Sequence, residues 1–363
     1  MSDVIPEFLR AAGWGAATMT PLPGDASARR YARLAMDGKS ALLMIQPPDP
    51  DAAPAGDTET RQGYNAVARL AGADCKRFAA AADHLRAQGL AAPEIYAADH
   101  KAGLLLIEDF GDRLFTDALA AGADEHDLYA GAARALARLH RQPAPKMLPG
   151  DMPLHAYDII AMLAETNLIM EWFLPLALQR GLTDSEVEQH RKLWTAALDD
   201  LSTARPVFVH RDYHAQNLLW LPERDGVARV GMIDFQDAVA GSPAYDLISL
   251  TEDARRAVSP ELGEHTLQHY LSALAEDGAR MNEEQFRRDM ALMAAQRNIK
   301  IVGIFARLFQ RDGKRRYLSL LPLVWSYLDR DLAHPALADL RGFYERLIPK
   351  DKRSVPHLEK EPA

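Results

Sequence analysis

Apolar and polar positions follow two regimes along this chain. In the first hundred residues they come in short extended runs, and afterwards they fall mostly at helical spacing. Residues 1–13 suit a short helix. The stretch RRYARLAMDGKSALLMIQPP holds two extended runs around the turn dipeptide Asp37-Gly38, which predicts a β-hairpin. PPDPDAAPAG, residues 47–56, is a loop by composition. Residues 74–88 place Phe78 and Leu85 at helical spacing behind Asp74, a good N-cap. Residues 93–98 and 103–107 predict further short strands. After Gly111 the spacing turns helical: Leu128, Leu136 and Leu139 share a face, and 159–174 and 184–201 form longer helices. Strand-like runs return at 207–209, 218–221 and 228–233, and the last hundred residues again read as helices. The pattern predicts an α+β protein of two lobes. A small β-rich lobe, residues 1–110, is joined near 107–111 to a large, mainly helical lobe, residues 111–363.

Composition narrows the classes. Of 363 residues 48% are apolar, enough for a large core, and 26% are charged. A net charge of −9 argues against nucleic-acid binding, because phosphate contacts need a basic surface. One cysteine, Cys75, permits no internal disulfide and suits a reducing compartment. The N-terminus lacks the basic-then-apolar signature of a secretion signal, and no run of about 18 apolar residues predicts a membrane span. The expectation is a cytoplasmic protein acting on a small molecule, with no nucleic acid, membrane or obligate protein partner.

Candidate chemistry concentrates in VFVHRDYHAQNLLWL, residues 207–221. A strand feeds a loop crowded with His, Asp and Asn, and a second strand follows at once. Further on, the apolar strand of VGMIDFQD ends in Asp234. Asp212, Asn217 and Asp234 therefore converge at a sheet edge. Carboxylate and amide oxygens are the ligands that Mg²⁺ prefers. An acid free to accept a hydroxyl proton completes the requirements of phosphoryl transfer, where positioning and electrostatics supply most of the catalysis. The spacing His-Arg-Asp-x4-Asn, then a strand and Asp, follows the kinase catalytic-loop pattern. A hydrogen-bonded turn would explain one Asp or Asn, but not the whole set.

VHRDYHAQNLLW and GMIDFQDAVAGSPAYDL resemble the aminoglycoside phosphotransferase (choline kinase-like) family, whose members share the protein-kinase-like bilobal fold. The phrases GDASARRYARL, LRAQGLAAPEIYAAD, GLLLIEDFGDRLF and RNIKIVGIFARL are similar to those of its anomeric amino-sugar kinases of bacterial cell-wall recycling. Those enzymes phosphorylate N-acetylmuramate and N-acetylglucosamine at C1. The resemblance implies ATP and Mg²⁺ as cofactors and an amino sugar as acceptor. It makes Asp212 the catalytic base, and Asn217 and Asp234 the Mg²⁺ ligands. His210 would brace the loop, and Asp246 would accept loop amides. His214 either touches the γ-phosphate or stabilises the loop.

On the nucleotide side, Gly24 and Ser27 stand where a phosphate-covering loop belongs, Gly24 allowing close backbone approach and Ser27 offering a hydroxyl. By the same resemblance, the backbone of Glu108 and Phe110 would pair with the adenine edge. The chain departs from protein kinases at Met44, which replaces the lysine that pairs the α- and β-phosphates. Arg29 or Arg30 is the candidate to replace that charge. An aminoglycoside or other small-alcohol kinase is the alternative reading, and a non-catalytic nucleotide-binding module is the third. The module has no need of base and metal ligands together. Arg297, Lys300, Arg307 and the basic run at 311–316 favour an anionic acceptor over a polycation, although basic helix faces are usually solvated.

Overall fold

The computed structural model describes residues 4–23, 29–47, 64–72, 74–201, 205–276, 278, 281–355 and 358. A five-stranded antiparallel sheet opens the chain: β1 (Thr18–Pro21), β2 (Arg30–Met36), β3 (Lys39–Ile45), β4 (Ile95–Asp99) and β5 (Leu104–Glu108), in the order β1-β2-β3-β5-β4. The Asp37-Gly38 turn takes positive φ at both residues, 51° and 75°, as a tight hairpin with the right twist requires. Pleating then divides the side chains by parity. Ala41 and Leu43 of β3 and Leu106 of β5 pack with Leu9 of helix α1 (Val4–Ala11). Met44, Leu105 and Ile107 face the other way, into the core shared with Phe78.

Short helix α2 (Tyr64–Val67) leads to α3 (Cys75–Ala87), which is capped by Asp74 accepting from the amide of Lys76 at 2.9 Å. The segment 47–56 lies mostly outside the described residues. Beyond β5 come α4 (Phe115–Ala120) and α5 (Glu125–His140), whose Leu128, Leu136 and Leu139 are buried as expected. A two-residue hairpin, β6 (Met147–Leu148) and β7 (Met152–Pro153), precedes α6 (Ile159–Leu168). One π-helical turn (Ile169–Phe173) joins α6 to α7 (Leu174–Leu178), so the long apolar helix of the sequence is interrupted. By length and mean hydropathy alone Ile159–Leu178 is long and apolar enough to cross a membrane, but polar residues such as Glu165 and Asn167 interrupt it and half of it is buried within the protein.

Next stand α8 (Asp184–Asp199), the strand β8 (Val207–Val209), the pair β9 (Leu218–Trp220) and β10 (Val230–Met232), and β11 (Val239–Gly241), which pairs with β8. The remainder is helical: α9 (Ala244–Thr251), α10 (Pro260–Glu276), α11 (Glu283–Asp312), α12 (Leu321–Asp331) and α13 (Ala338–Leu347). The 30-residue α11 is the axis of this region. It can lie close to α6 because Gly303 has no Cβ, which would stand 2.4 Å from the backbone of Leu168.

Candidate active site

Two short antiparallel pairs position the polar loop. In the β9–β10 ladder Leu218 opposes Met232, so the residues just outside it, Asn217 and Ile233, are also brought together. The Ile233 amide donates to the Asn217 carbonyl at 3.1 Å. Asp234 is the next residue, held at φ +65°, a conformation that persists only when the surroundings enforce it. The hairpin thus delivers Asn217 and Asp234 side by side.

Asp212 is fixed from the other side. Asp246, fully buried, accepts the amides of His210 (2.7 Å) and Arg211 (2.8 Å), one on each carboxylate oxygen. Arg211 takes φ +80°, which turns the chain just before the half-buried Asp212. His210 Nδ1 accepts from the Asp212 amide at 3.3 Å. Burial lowers the His210 pKa against the pull of Asp246, Asp212 and Asp234, so the ring braces the loop as a neutral acceptor.

His214 is buried too. Its Nε2 lies 3.4 Å from the Asn217 amide nitrogen and 3.3 Å from the Arg255 guanidinium. Burial drives its pKa down to about 3, so the ring is neutral and accepts through Nε2. It therefore offers no positive charge to a phosphate near neutral pH.

Mg²⁺ in phosphoryl-transfer sites keeps several waters and takes only one or two protein ligands beside phosphate oxygens. Among the described residues no group of three or more His, Cys, Asp or Glu could hold a metal alone. The Asn217–Asp234 pair nevertheless fits this lighter requirement. The Asn217 amide nitrogen donates to the Asp212 carbonyl at 3.0 Å, which leaves its amide oxygen available to a cation. Arg29 (3.2 Å) and Gln236 (2.9 Å) both donate to Asp234 Oδ1, leaving Oδ2 available on a side chain 44% exposed.

The nucleotide-side residues fare unequally. Gly24 and Ser27 lie outside the described residues. Arg29 crosses from the sheet to Asp234, bringing a cation to the expected metal site. Met44 is fully buried with Leu105 and Ile107, so its role is packing within the lobe. Glu108 ends β5, its amide donating to the Glu94 carbonyl at 2.8 Å and its carboxylate paired with Arg224 at 2.5 Å. The Phe110 ring lies against Gly231, where a Cβ would stand 3.0 Å from it, and under the Arg224 guanidinium at 4.7 Å. Phe110, Leu219, Leu221 and Ile233 form a small apolar cluster beside Asp234.

One cluster escaped the sequence reading. Glu165, fully buried on α6, accepts from the Arg211 guanidinium, the Tyr157 hydroxyl and Gln296 (3.2 Å), and pairs with Lys300 at 3.0 Å. Lys300 also donates to the Tyr245 hydroxyl at 2.9 Å. Burial would raise the Glu165 pKa, but Lys300 and Arg211 outweigh it and hold the carboxyl down at about 2. Arg297 and Lys300, basic residues that sequence alone leaves to solvent, are thus largely buried. The available signal was Glu165 itself, the one acid in the apolar run IIAMLAETNLIM.

Asp212, Asn217 and Asp234 on one polar loop and its neighbouring hairpin, with Arg29 reaching Asp234, are the groups that phosphoryl transfer requires. A profile of the phosphotransferase enzyme family matches residues 18–283, and the chain belongs to that family. The N-acetylmuramate/N-acetylglucosamine kinase of Caulobacter vibrioides is 43% identical over 356 residues, covering 95% of this chain and 96% of that protein. Its namesake in Pseudomonas aeruginosa is 32% identical over 94% of this chain and 92% of that one. A choline kinase from Cryptosporidium parvum superposes with a TM-score of 0.57 over 98% of this chain and all of its own, at 11% identity, which is a likeness of fold.

Proposed function

We propose that this protein is an ATP-dependent kinase that phosphorylates the anomeric hydroxyl of N-acetylmuramate and N-acetylglucosamine, giving the sugar 1-phosphate, in the recycling of cell-wall sugars. The carrying observation is 43% identity, over nearly the whole of both chains, to a kinase named for those two sugars. In this reading Asp212 accepts the proton of the C1 hydroxyl. The C1 oxygen then bonds to the γ-phosphorus of ATP as the bond to the departing ADP breaks. The anomeric hydroxyl is more acidic than an ordinary alcohol, so a carboxylate of modest strength suffices. Asn217 and Asp234 would hold Mg²⁺, which would neutralise charge on the phosphates. Arg29 stands in for the lysine absent at Met44, supported by its reach to Asp234. His214 is a positioning residue, because its one accepting nitrogen is already engaged by Asn217 and Arg255. Phe110, Leu219 and Ile233 offer an apolar bed for the adenine, with the Phe110 backbone at its edge.

Incubation with ATP, Mg²⁺ and either amino sugar should consume reducing-sugar signal in step with ADP release. ³¹P NMR should show phosphorus coupled to the anomeric proton. ADP release with the reducing end intact would rule out transfer to C1. Turnover of kanamycin or choline in place of both amino sugars would select the alternative acceptor.

A further inference from the structure

Helix α11 carries two cations on one stripe, Lys300 and Arg307, two helical turns apart. Their surroundings differ. Lys300 is engaged by Glu165 and the Tyr245 hydroxyl. Arg307 has no carboxylate within ion-pairing distance among the described residues, and its Nε is buried without a hydrogen-bond partner. Asp312 feels its charge but is taken bidentately by Arg311, at 2.6 and 2.9 Å.

What Arg307 does have is two aromatic rings. Tyr64 lies 5.1 Å and Trp172 5.9 Å from its guanidinium carbon. Both supports are built in. Trp172 stands in the π-helical turn, where its carbonyl accepts from the Gln310 side chain at 2.8 Å, and Tyr64 opens α2. Rings against a guanidinium fix its plane and leave its in-plane N–H groups available. Those groups are the fork that takes a carboxylate through two parallel hydrogen bonds.

Tyr64 ties this fork to the catalytic loop. Burial raises its phenol pKa, as does Glu165, while Lys300, Arg211 and Arg307 oppose the rise. Geometry makes the same link, since Lys300, two turns before Arg307 on α11, pairs with Glu165, which pairs with Arg211, the residue before Asp212. Lys300, Arg211 and Arg307 gather along this line with Glu165 as the shared partner of the first two, in a chain whose net charge is −9. Such a local excess fits an anionic acceptor.

We infer that Arg307, clasped between Tyr64 and Trp172, receives the carboxylate of the acceptor and so sets the preference between the two amino sugars. N-acetylmuramate carries a carboxylate on its lactyl ether, and N-acetylglucosamine has none. The inference rests on the amino-sugar reading above, and the two fail separately. Absence of turnover of both sugars by the wild type would remove that reading, whereas Arg307 is tested by a ratio.

Arg307→Leu should lower the ratio of kcat/KM for N-acetylmuramate over N-acetylglucosamine by about ten- to hundredfold, through KM, as loss of a charge-assisted bidentate contact does. Arg307→Lys, keeping the charge but not the fork, should fall between. In the wild type, N-acetylmuramate converted to its primary amide should lose the same factor, and the amide should lose nothing more in Arg307→Leu. An unchanged ratio in both variants would overturn the assignment. So would acid and amide turned over equally by the wild type, a comparison that holds even if Arg307→Leu fails to fold.

Discussion

Asp246 and Glu165 are both fully buried acids, and both grip Arg211, one by its backbone and the other by its side chain. Asp246 binds N–H groups that any residue but proline supplies, so its hold on the loop does not depend on what stands at positions 210 and 211. Glu165 binds a guanidinium, an ammonium and a phenol, so its hold depends on side-chain identity in elements far apart in sequence. The first arrangement fixes the path of the loop. The second fixes the charge beneath it. Catalytic loops can thus be secured twice, by contacts with different tolerance to substitution.

Asp212 gives the comparison its reference, because it should matter to chemistry and not to the hold. Asp212→Asn should cut turnover by about 10²–10⁴-fold, as loss of a general base does, with little change in the thermal midpoint. A midpoint lowered as far as in Asp246→Ala would show that Asp212 also carries the loop. Asp246→Ala strips two buried amides of a charged acceptor and should lose about 3–5 kcal/mol in urea unfolding. Retention of nearly full stability would mean that the pairing of β8 and β11 alone sets the loop.

Glu165→Gln should cost about 3 kcal/mol at neutral pH, the low end of that range, because the amide still accepts hydrogen bonds but leaves Arg211 and Lys300 without a counter-charge. Its signature is in acid. Glu165 titrates at about 2 in the folded protein, against about 4.3 in an unfolded chain. Its charge therefore stabilises fully above about pH 4.3, and that stabilisation is lost as pH falls toward 2. Urea midpoints of wild type and Glu165→Gln should converge between pH 4 and pH 2. A gap constant over that range would show that Arg211 and Lys300 do not depend on a charged partner at residue 165.

The same contrast explains what sequence could reveal. Asn217 and Asp234 are matched by one hairpin, and Asp212 lies five residues before Asn217 in the same motif, so local pattern suffices to gather them. The Asp37-Gly38 turn and the Asp74 cap are local for the same reason. Glu165, Arg211 and Lys300 sit on three elements and meet only through the packing of α6 against α11, which no local period encodes. Helical spacing places Lys300 on a face but does not say whether that face meets water. The π-helical turn at 169–173 was hidden too, because an apolar run reads alike through a regular helix and an interrupted one.

The β9–β10 ladder has a consequence for redesign of the chain. Asn217 and Asp234 are matched by the rungs between Leu218 and Met232, not by the length of chain that joins the strands. The connection passes through exposed Asp225 and Gly226, the latter at φ +56°. Residues can be spliced in at that tip, or new termini opened there, while the same rungs keep these two side chains opposite each other.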